Sequence, residues 1–442
     1  MKLTKNSFKE TFLFSWSVFL VVLLMATVKF NSPILLWALV GSSTLLLFQP
    51  IYLLPVYLIS SLSTTYFVAG QDLGISRLIG FILIAAGLIY NLTNNYSYNV
   101  KNIILIAILF FYTLFSSIFS LTSSYVTFIS FSQFLIVVIL LSQIRNVNLE
   151  KLSKLLTLSA IITLIIIAFE LKSNLISMQV QRLSTGENVN ENRFAMMLEQ
   201  LTAIIYAAFF VFSKNKIIRF IVVPIILLAF FMLILSGSRS ATIGIMGAII
   251  VSQLYHVKTN PKKYILPLFF LVILGYLFIL TVHKMNIPVI DRFSVESVKE
   301  SGGTHRLEVW QTLVPITLKN EPLFGFGFGG GNSIALAYKN GLMYAPHNFF
   351  FEMLIQVGIV GMFIFLYYFV FIARELLKAT QNPIVFFPII LLLSAFFNGI
   401  GETIYVEKLF WNGIGLAWLY LNNLPPILLK KNDTITSSYE QV

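Results

Sequence analysis

Long apolar runs separated by short polar turns make up most of this chain. A run of roughly 20 apolar residues is the length that crosses a bilayer as a helix. About fourteen such runs can be placed, near 12–30, 33–49, 51–69, 75–92, 103–121, 124–143, 152–170, 194–213, 217–235, 238–256, 264–282, 347–372, 383–401 and 405–422. They are continuous rather than alternating apolar and polar, which argues against the strands of a membrane barrel. The pattern predicts an all-α, polytopic transmembrane helix bundle of about 14 spans (12–14). The least distinct pair are the second and third, separated only by Gln49-Pro50.

One interval breaks the pattern. Residues 283–346 form the longest polar stretch and predict a long extracytoplasmic loop containing short helices. Within it, THRLEVWQTL has helical spacing, with Leu307, Trp310 and Leu313/Val314 along one face. If that helix lies on the membrane with Arg306 pointing to water, the arginine is incidental. The expected organisation is then residues 1–282 as helices 1–11 with an outer loop at 171–193, the loop 283–346, three further spans within 347–422, and a cytoplasmic tail at 423–442. The tail reads as disordered after Asn432.

Composition supports a membrane protein. The chain is 57% hydrophobic and only 11% charged, against roughly 25% charged in soluble domains. Cysteine is absent, which excludes disulfide and thiolate chemistry. A net charge of +12 suggests nucleic acid at first sight, but the basic residues sit in short clusters between apolar runs. That is the signature of membrane topology and anionic lipid, so no nucleic-acid partner is expected. With Lys2, Lys5 and Lys9 in the cytoplasm, the inner turns hold Lys101; Arg145, Lys151 and Lys154; Lys214, Lys216 and Arg219; Lys258, Lys262 and Lys263; and Arg374 and Lys378. The alternation places both termini inside. The N-terminus resembles a signal peptide without a small-residue cleavage site, which predicts an uncleaved first helix.

Charges left on the outer side are the candidates for chemistry. Arg239 lies in SGSRSATIG at the outer start of a span. It either snorkels to lipid phosphates or binds an anionic substrate, and the small residues around it favour close helix packing and an inward-facing guanidinium. Arg182 and Arg193 lie in or beside the outer loop 171–193, with Asn188, Asn190 and Asn192, which suit either a sugar or a helix cap. The glycine cluster from Gly325 to Gly331 lacks the Gly-Lys-Ser/Thr ending of a phosphate loop, so tight turns and close backbone approach are its expected use. His347 follows Pro346 on the same side as the arginines, and a neutral imidazole can accept a proton. There is no HExxH, no second histidine at ligand spacing and no short aspartate pair, so neither a metal nor a cofactor is expected.

Arg306 followed by Trp310, then Pro322, Gly325, Gly327 and Gly329, then His347-Asn348, then Gly358 and Gly361, resembles the O-antigen ligase and polymerase superfamily. The resemblance covers about 190–372. It implies a metal-independent membrane glycosyltransferase of the GT-C type in a bacterial inner membrane, using sugars on undecaprenyl diphosphate at a site facing away from the cytoplasm. It assigns Arg239 and Arg306 to the diphosphate and His347 to the base. Arg193 corresponds more loosely through Asn-Arg-Phe-Ala, and Arg182, Trp310, Asn348, Gly327 and Gly329 are candidates for substrate contact.

The residue types suit that chemistry. Guanidinium forks pair with phosphate oxygens and stay charged. They stabilise a diphosphate leaving group, while His347 takes the proton of an attacking sugar hydroxyl, with inversion at the anomeric carbon. Glu308 and Glu352 stand next in line for the base. Some of the 42 phenylalanines would line a polyprenyl groove, and most are expected to face lipid. A polymerase, joining one lipid-linked repeat unit to another, is the preferred reading because nothing marks a terminal acceptor. A ligase acting on lipid A-core or a protein shares the same motifs. In either case the implied partners are the lipid-linked donor and acceptor, the bilayer, and a flippase and a chain-length regulator of the same pathway. A lipid-linked oligosaccharide flippase is the rival class, and it would favour internal repeats and mid-membrane charges, which the sequence does not show.

Overall fold

The computed structural model describes residues 5–63, 75–94, 100–118, 125–172, 191–212, 216–259, 292–293, 306–328, 346–402 and 408–424. The described residues form α-helices joined by turns and one short 3-10 helix: α1 Lys5–Phe30, α2 Pro33–Thr44, α3 Pro50–Ser63, α4 Ile75–Asn94, α5 Val100–Ile118, α6 Tyr125–Gln143, α7 Leu149–Glu170, α8 Glu191–Val211, α9 Lys216–Leu235, α10 Arg239–Thr259, α11 Arg306–Asn320, α12 Phe349–Lys378, α13 Phe386–Asn398 and α14 Lys408–Asn422. Among them α1, α4, α5, α7, α8 and α12 are long and apolar enough to cross a membrane, and most of the others are shorter apolar helices. The predicted span 264–282, Arg182, Gly329 and the tail after Asn432 lie outside the described residues.

The exterior is apolar as well as the core. Phe220, Ile34 and Leu92 are 83%, 81% and 73% exposed, which in this protein means facing lipid rather than water. Phenylalanine also builds the interior. Phe349, Phe365, Phe410 and Trp411 pack mostly edge to face at centroid separations of 5.2–5.9 Å, at and below the start of α12.

Helix α13 is the centre of one half, packed on α8, α10 and α14, while α6 packs on α14 and α5 on α12. One end of the bundle is tied by polar contacts at helix termini. Tyr90 Oη donates to the Arg145 carbonyl, Arg145 NH1 to the Asn422 carbonyl, and Asn423 Nδ2 to the Ile144 carbonyl. Helix α14 runs from that end to the opposite one, where α8 and α10 begin and α13 ends.

Helix α12 departs from the single straight span expected over 347–372. It extends to Lys378 and breaks at Gly358, whose φ of 69° and ψ of −174° are open only to glycine. The break frees backbone groups that must be paired elsewhere. Ile359 N–H turns to the Pro322 carbonyl at 2.9 Å, and the Ile355 carbonyl accepts from Phe326 N–H at 2.8 Å. Helix α5 caps the same gap. Tyr112 Oη shares its proton between the carbonyls of Leu323 and Val357, and Ser116 Oγ between those of Phe324 and Gln356. The segment 321–328 is therefore docked on the break and not loose.

The loop helix α11 is present, but its buried face differs from the predicted one. Val309, Leu313 and Thr317 face inward while Leu307 is 55% exposed. Val309 and Leu313 pack on Ile355 of α12. The inner face follows the i, i+4, i+8 row because α11 lies on protein rather than flat on a membrane surface.

Candidate functional site

Five helix ends converge where α13 stops. Its last residue, Asn398, is followed by the turn Gly399-Ile400-Gly401-Glu402, and each residue of that turn meets another element. The Gly399 carbonyl accepts from Phe349 N–H at 2.7 Å. The Ile400 carbonyl accepts from Asn348 Nδ2 at 2.9 Å. The Gly401 carbonyl accepts from Arg306 NH1 at 2.5 Å. The Glu402 side chain, 8% exposed, takes the remainder.

Glu402 is the hub. Its Oε2 lies 3.0 Å from His347 Nδ1. Its Oε1 accepts from Asn192 Nδ2 at 2.9 Å and lies 3.3 Å from Arg306 NH2. Three side chains from α8, α11 and the start of α12 thus share one carboxylate. The two carboxylates expected from sequence to stand in for the base have other surroundings. Glu308 is exposed, and Glu352 is buried and accepts from Gln356 Nε2 at 2.7 Å. Glu402 is not among the residues expected from sequence. The signal for it is an acidic residue in the short turn GIGET between two apolar runs, where only helix packing reveals its partners.

The local backbone explains how His347 is aimed. Its φ of 47° is left-handed, which is unusual for a residue with a side chain. The conformation is held on both sides. Trp310 Nε1 donates to the Pro346 carbonyl at 2.6 Å, and the indole packs on Phe351 at 5.0 Å. Asn348 caps α12, its Oδ1 accepting from Phe350 and Phe351 N–H while its Nδ2 reaches Ile400. Trp310 and Asn348 therefore act through the backbone around His347, and both side chains have protein partners.

The arginines approach from another side. Arg239 begins α10, is half-buried, and donates Nε to the Arg292 carbonyl at 2.5 Å. It lies within reach of the like charges of Arg292 and Arg306, so three guanidinium groups share this end of the bundle. Gly401 permits the approach, since a Cβ there would come within 2.9 Å of Ser240, the neighbour of Arg239, and 3.4 Å of Arg306 NH1. The reading in which Arg306 points only to water does not hold, because α11 packs against α12 and turns Arg306 onto the 401–402 turn. Arg193 sits in the first turn of α8 with its side chain exposed, and it is the adjacent Asn192 that meets Glu402. Gly327, with φ of 78°, lies in the docked segment 321–328, whose bonds run to α5 and the α12 break. Among the described residues no cluster of three or more histidines and acidic side chains suits a metal ion.

Residues 224–366 match the family model described as O-antigen ligase. The match covers about a third of the chain and supports a membrane protein of the O-antigen ligase and polymerase superfamily. The match takes in Arg239, Arg292, Arg306, Trp310, His347 and Gly358, and it ends before Glu402 and begins after Asn192. No curated protein matches the chain. The family match and the apolar helices together support a multi-pass membrane protein.

Proposed function

We propose that this chain is a glycosyltransferase that moves a glycan from a polyprenyl diphosphate carrier, undecaprenyl diphosphate, to the hydroxyl of a second lipid-linked repeat unit. The observation that carries the reading is the single Glu402 carboxylate shared by His347 and Arg306, beside Arg239 and Arg292.

The chemistry follows from the pairings. Glu402 Oε2 accepts a hydrogen bond from His347 Nδ1–H, which leaves Nε2 as the basic nitrogen of the ring. His347 Nε2 takes the proton of the acceptor hydroxyl as that oxygen attacks the anomeric carbon. The bond from that carbon to the diphosphate oxygen breaks on the opposite face, and the configuration inverts. Glu402 stabilises the imidazolium formed. The leaving diphosphate carries its charge to Arg239, Arg306 and Arg292, whose planar donors match phosphate oxygens. The site would face the extracytoplasmic side of a bacterial inner membrane, with both termini in the cytoplasm.

Reconstitution tests this. Purified protein in vesicles is given undecaprenyl-diphosphate-linked repeat units, and the products are separated by size. A ladder of lengthening products supports the polymerase. A single larger product that needs an added terminal acceptor makes the chain a ligase. Movement of labelled lipid between leaflets without a new glycosidic bond overturns the enzyme reading in favour of a transporter.

A further inference from the structure

Behind the site, within the helices, lies a buried polar group that the transfer chemistry does not use. Glu199 sits seven residues after Asn192 on α8, about 10 Å along the helix axis, and is 1% exposed. Its Oε2 accepts a hydrogen bond from Nδ2 of Asn398, itself 1% exposed. The adjacent Gln200 donates Nε2 to Ser394 Oγ, one turn earlier on α13, at 3.1 Å. A carboxyl group at such a depth is costly and needs a reason. Helix α10 makes room for it. Gly244 lacks a side chain where the carboxyl lies, and a Cβ there would come 2.9 Å from both Glu199 Cδ and the Ser394 carbonyl.

Asn398 is the last residue of α13, and the turn that follows it is the one that carries the site. Its own carbonyl accepts from Gly401 N–H at 2.9 Å. The next four residues meet Phe349, Asn348, Arg306 and His347 in succession. Rotation of the last turn of α13 would move all four contacts together. A directional hydrogen bond from α8 to the Asn398 side chain opposes that rotation, whereas an apolar contact would not.

We propose that Glu199 is a positioning residue for the transfer reaction. Through Asn398 it fixes the 399–402 turn and so the Glu402 carboxylate that orients His347. The inference rests on the function proposed above for its consequence in turnover, but the mechanical link from Glu199 to the turn does not depend on it.

The test compares Glu199→Leu, Glu199→Gln and Asn398→Ala with the parent chain in vesicles. Turnover of lipid-linked donor is measured together with hydrogen exchange at the amides of residues 399–402. A misplacement of about 1 Å costs on the order of 10²-fold in rate, so E199L and N398A should lower kcat about 100-fold and leave KM within about threefold. Both should speed exchange at 399–402. The carboxamide of the E199Q variant keeps an oxygen for Asn398 Nδ2, so E199Q should rescue both turnover and protection. Full kcat or unchanged exchange in E199L overturns the proposal. So does an E199Q variant as impaired as E199L, which would give the carboxyl itself a different task. N398A cuts the link without touching the carboxyl, so it decides the matter if E199L does not fold. If the parent chain transfers no glycan at all, the function proposed above fails, and the exchange measurement alone still decides whether Glu199 holds the turn.

Discussion

Glu402 Oε2 lies 3.0 Å from His347 Nδ1, although the two residues are 55 positions apart, one just before α12 and the other in the turn after α13. The same carboxylate reaches Arg306, so in the proposed reaction it both orients the base and balances a cation. A carboxamide at this position keeps the hydrogen-bonding shape but cannot stabilise an imidazolium. Glu402→Gln is therefore expected to lower glycan transfer by about 10²- to 10⁴-fold, the range a general base contributes. Glu402→Ala leaves the donors of Arg306, Asn192 and His347 without their acceptor and should also cost about 1–3 kcal/mol of stability. Turnover and the unfolding temperature of the two variants, measured side by side, check both effects.

His347 itself calls for a particular substitution. At φ of 47° alanine is strained, whereas asparagine tolerates the left-handed region. His347→Asn should abolish transfer while donor affinity and unfolding temperature stay near those of the parent. Transfer at the parental rate in this variant would remove His347 from the chemistry.

Lysine in place of Arg306 or Arg239 keeps the charge and loses the planar fork. One hydrogen bond to a charged partner is worth about 1.5–3 kcal/mol, so each variant is expected to weaken binding of the lipid diphosphate donor by about tenfold or more. Arg306→Lys should be the worse of the two, because Arg306 also holds the Gly401 carbonyl. Binding of labelled donor to protein in vesicles provides the measurement.

Gly358→Ala probes the break in α12. A Cβ there would meet the Leu323 carbonyl, and alanine is strained at this backbone conformation. Strain of this kind costs about 1–3 kcal/mol. The segment 321–328 should lose its seat, with a lower unfolding temperature and faster exchange at Phe326 and Ile359, whose N–H groups make the reciprocal bonds.

In the proposed reaction Arg239, Arg292 and Arg306 supply the positive charge that a leaving diphosphate needs. Glycan transfer is accordingly expected to continue unchanged in the presence of a chelator. A clear loss, restored by adding a divalent ion, would show that the arginines do not suffice.

The helices were legible from the chain because helix formation is local. Each backbone bond joins residues four apart, and an apolar run declares itself within one window of sequence. Arg239 and His347 could be chosen for the same reason, as polar residues at the ends of apolar runs, and Arg306 through the motif that resembles the superfamily. What the chain order does not contain is how the helix ends meet. Glu402 joins His347 across 55 residues, Arg306 across 96 and Asn192 across 210. Those distances depend on the rotation and depth of five separate helices, which packing sets and local periodicity does not. The break at Gly358 is of the same kind. Its sequence reads as one apolar span, and the conformation exists because Pro322, Phe326, Tyr112 and Ser116 pair the backbone groups that the break exposes. The sequence by itself determined a membrane-embedded helical bundle and its candidate residues. Tertiary structure decided which carboxylate those residues share, because a buried polar group finds its partner only once the helices are in place.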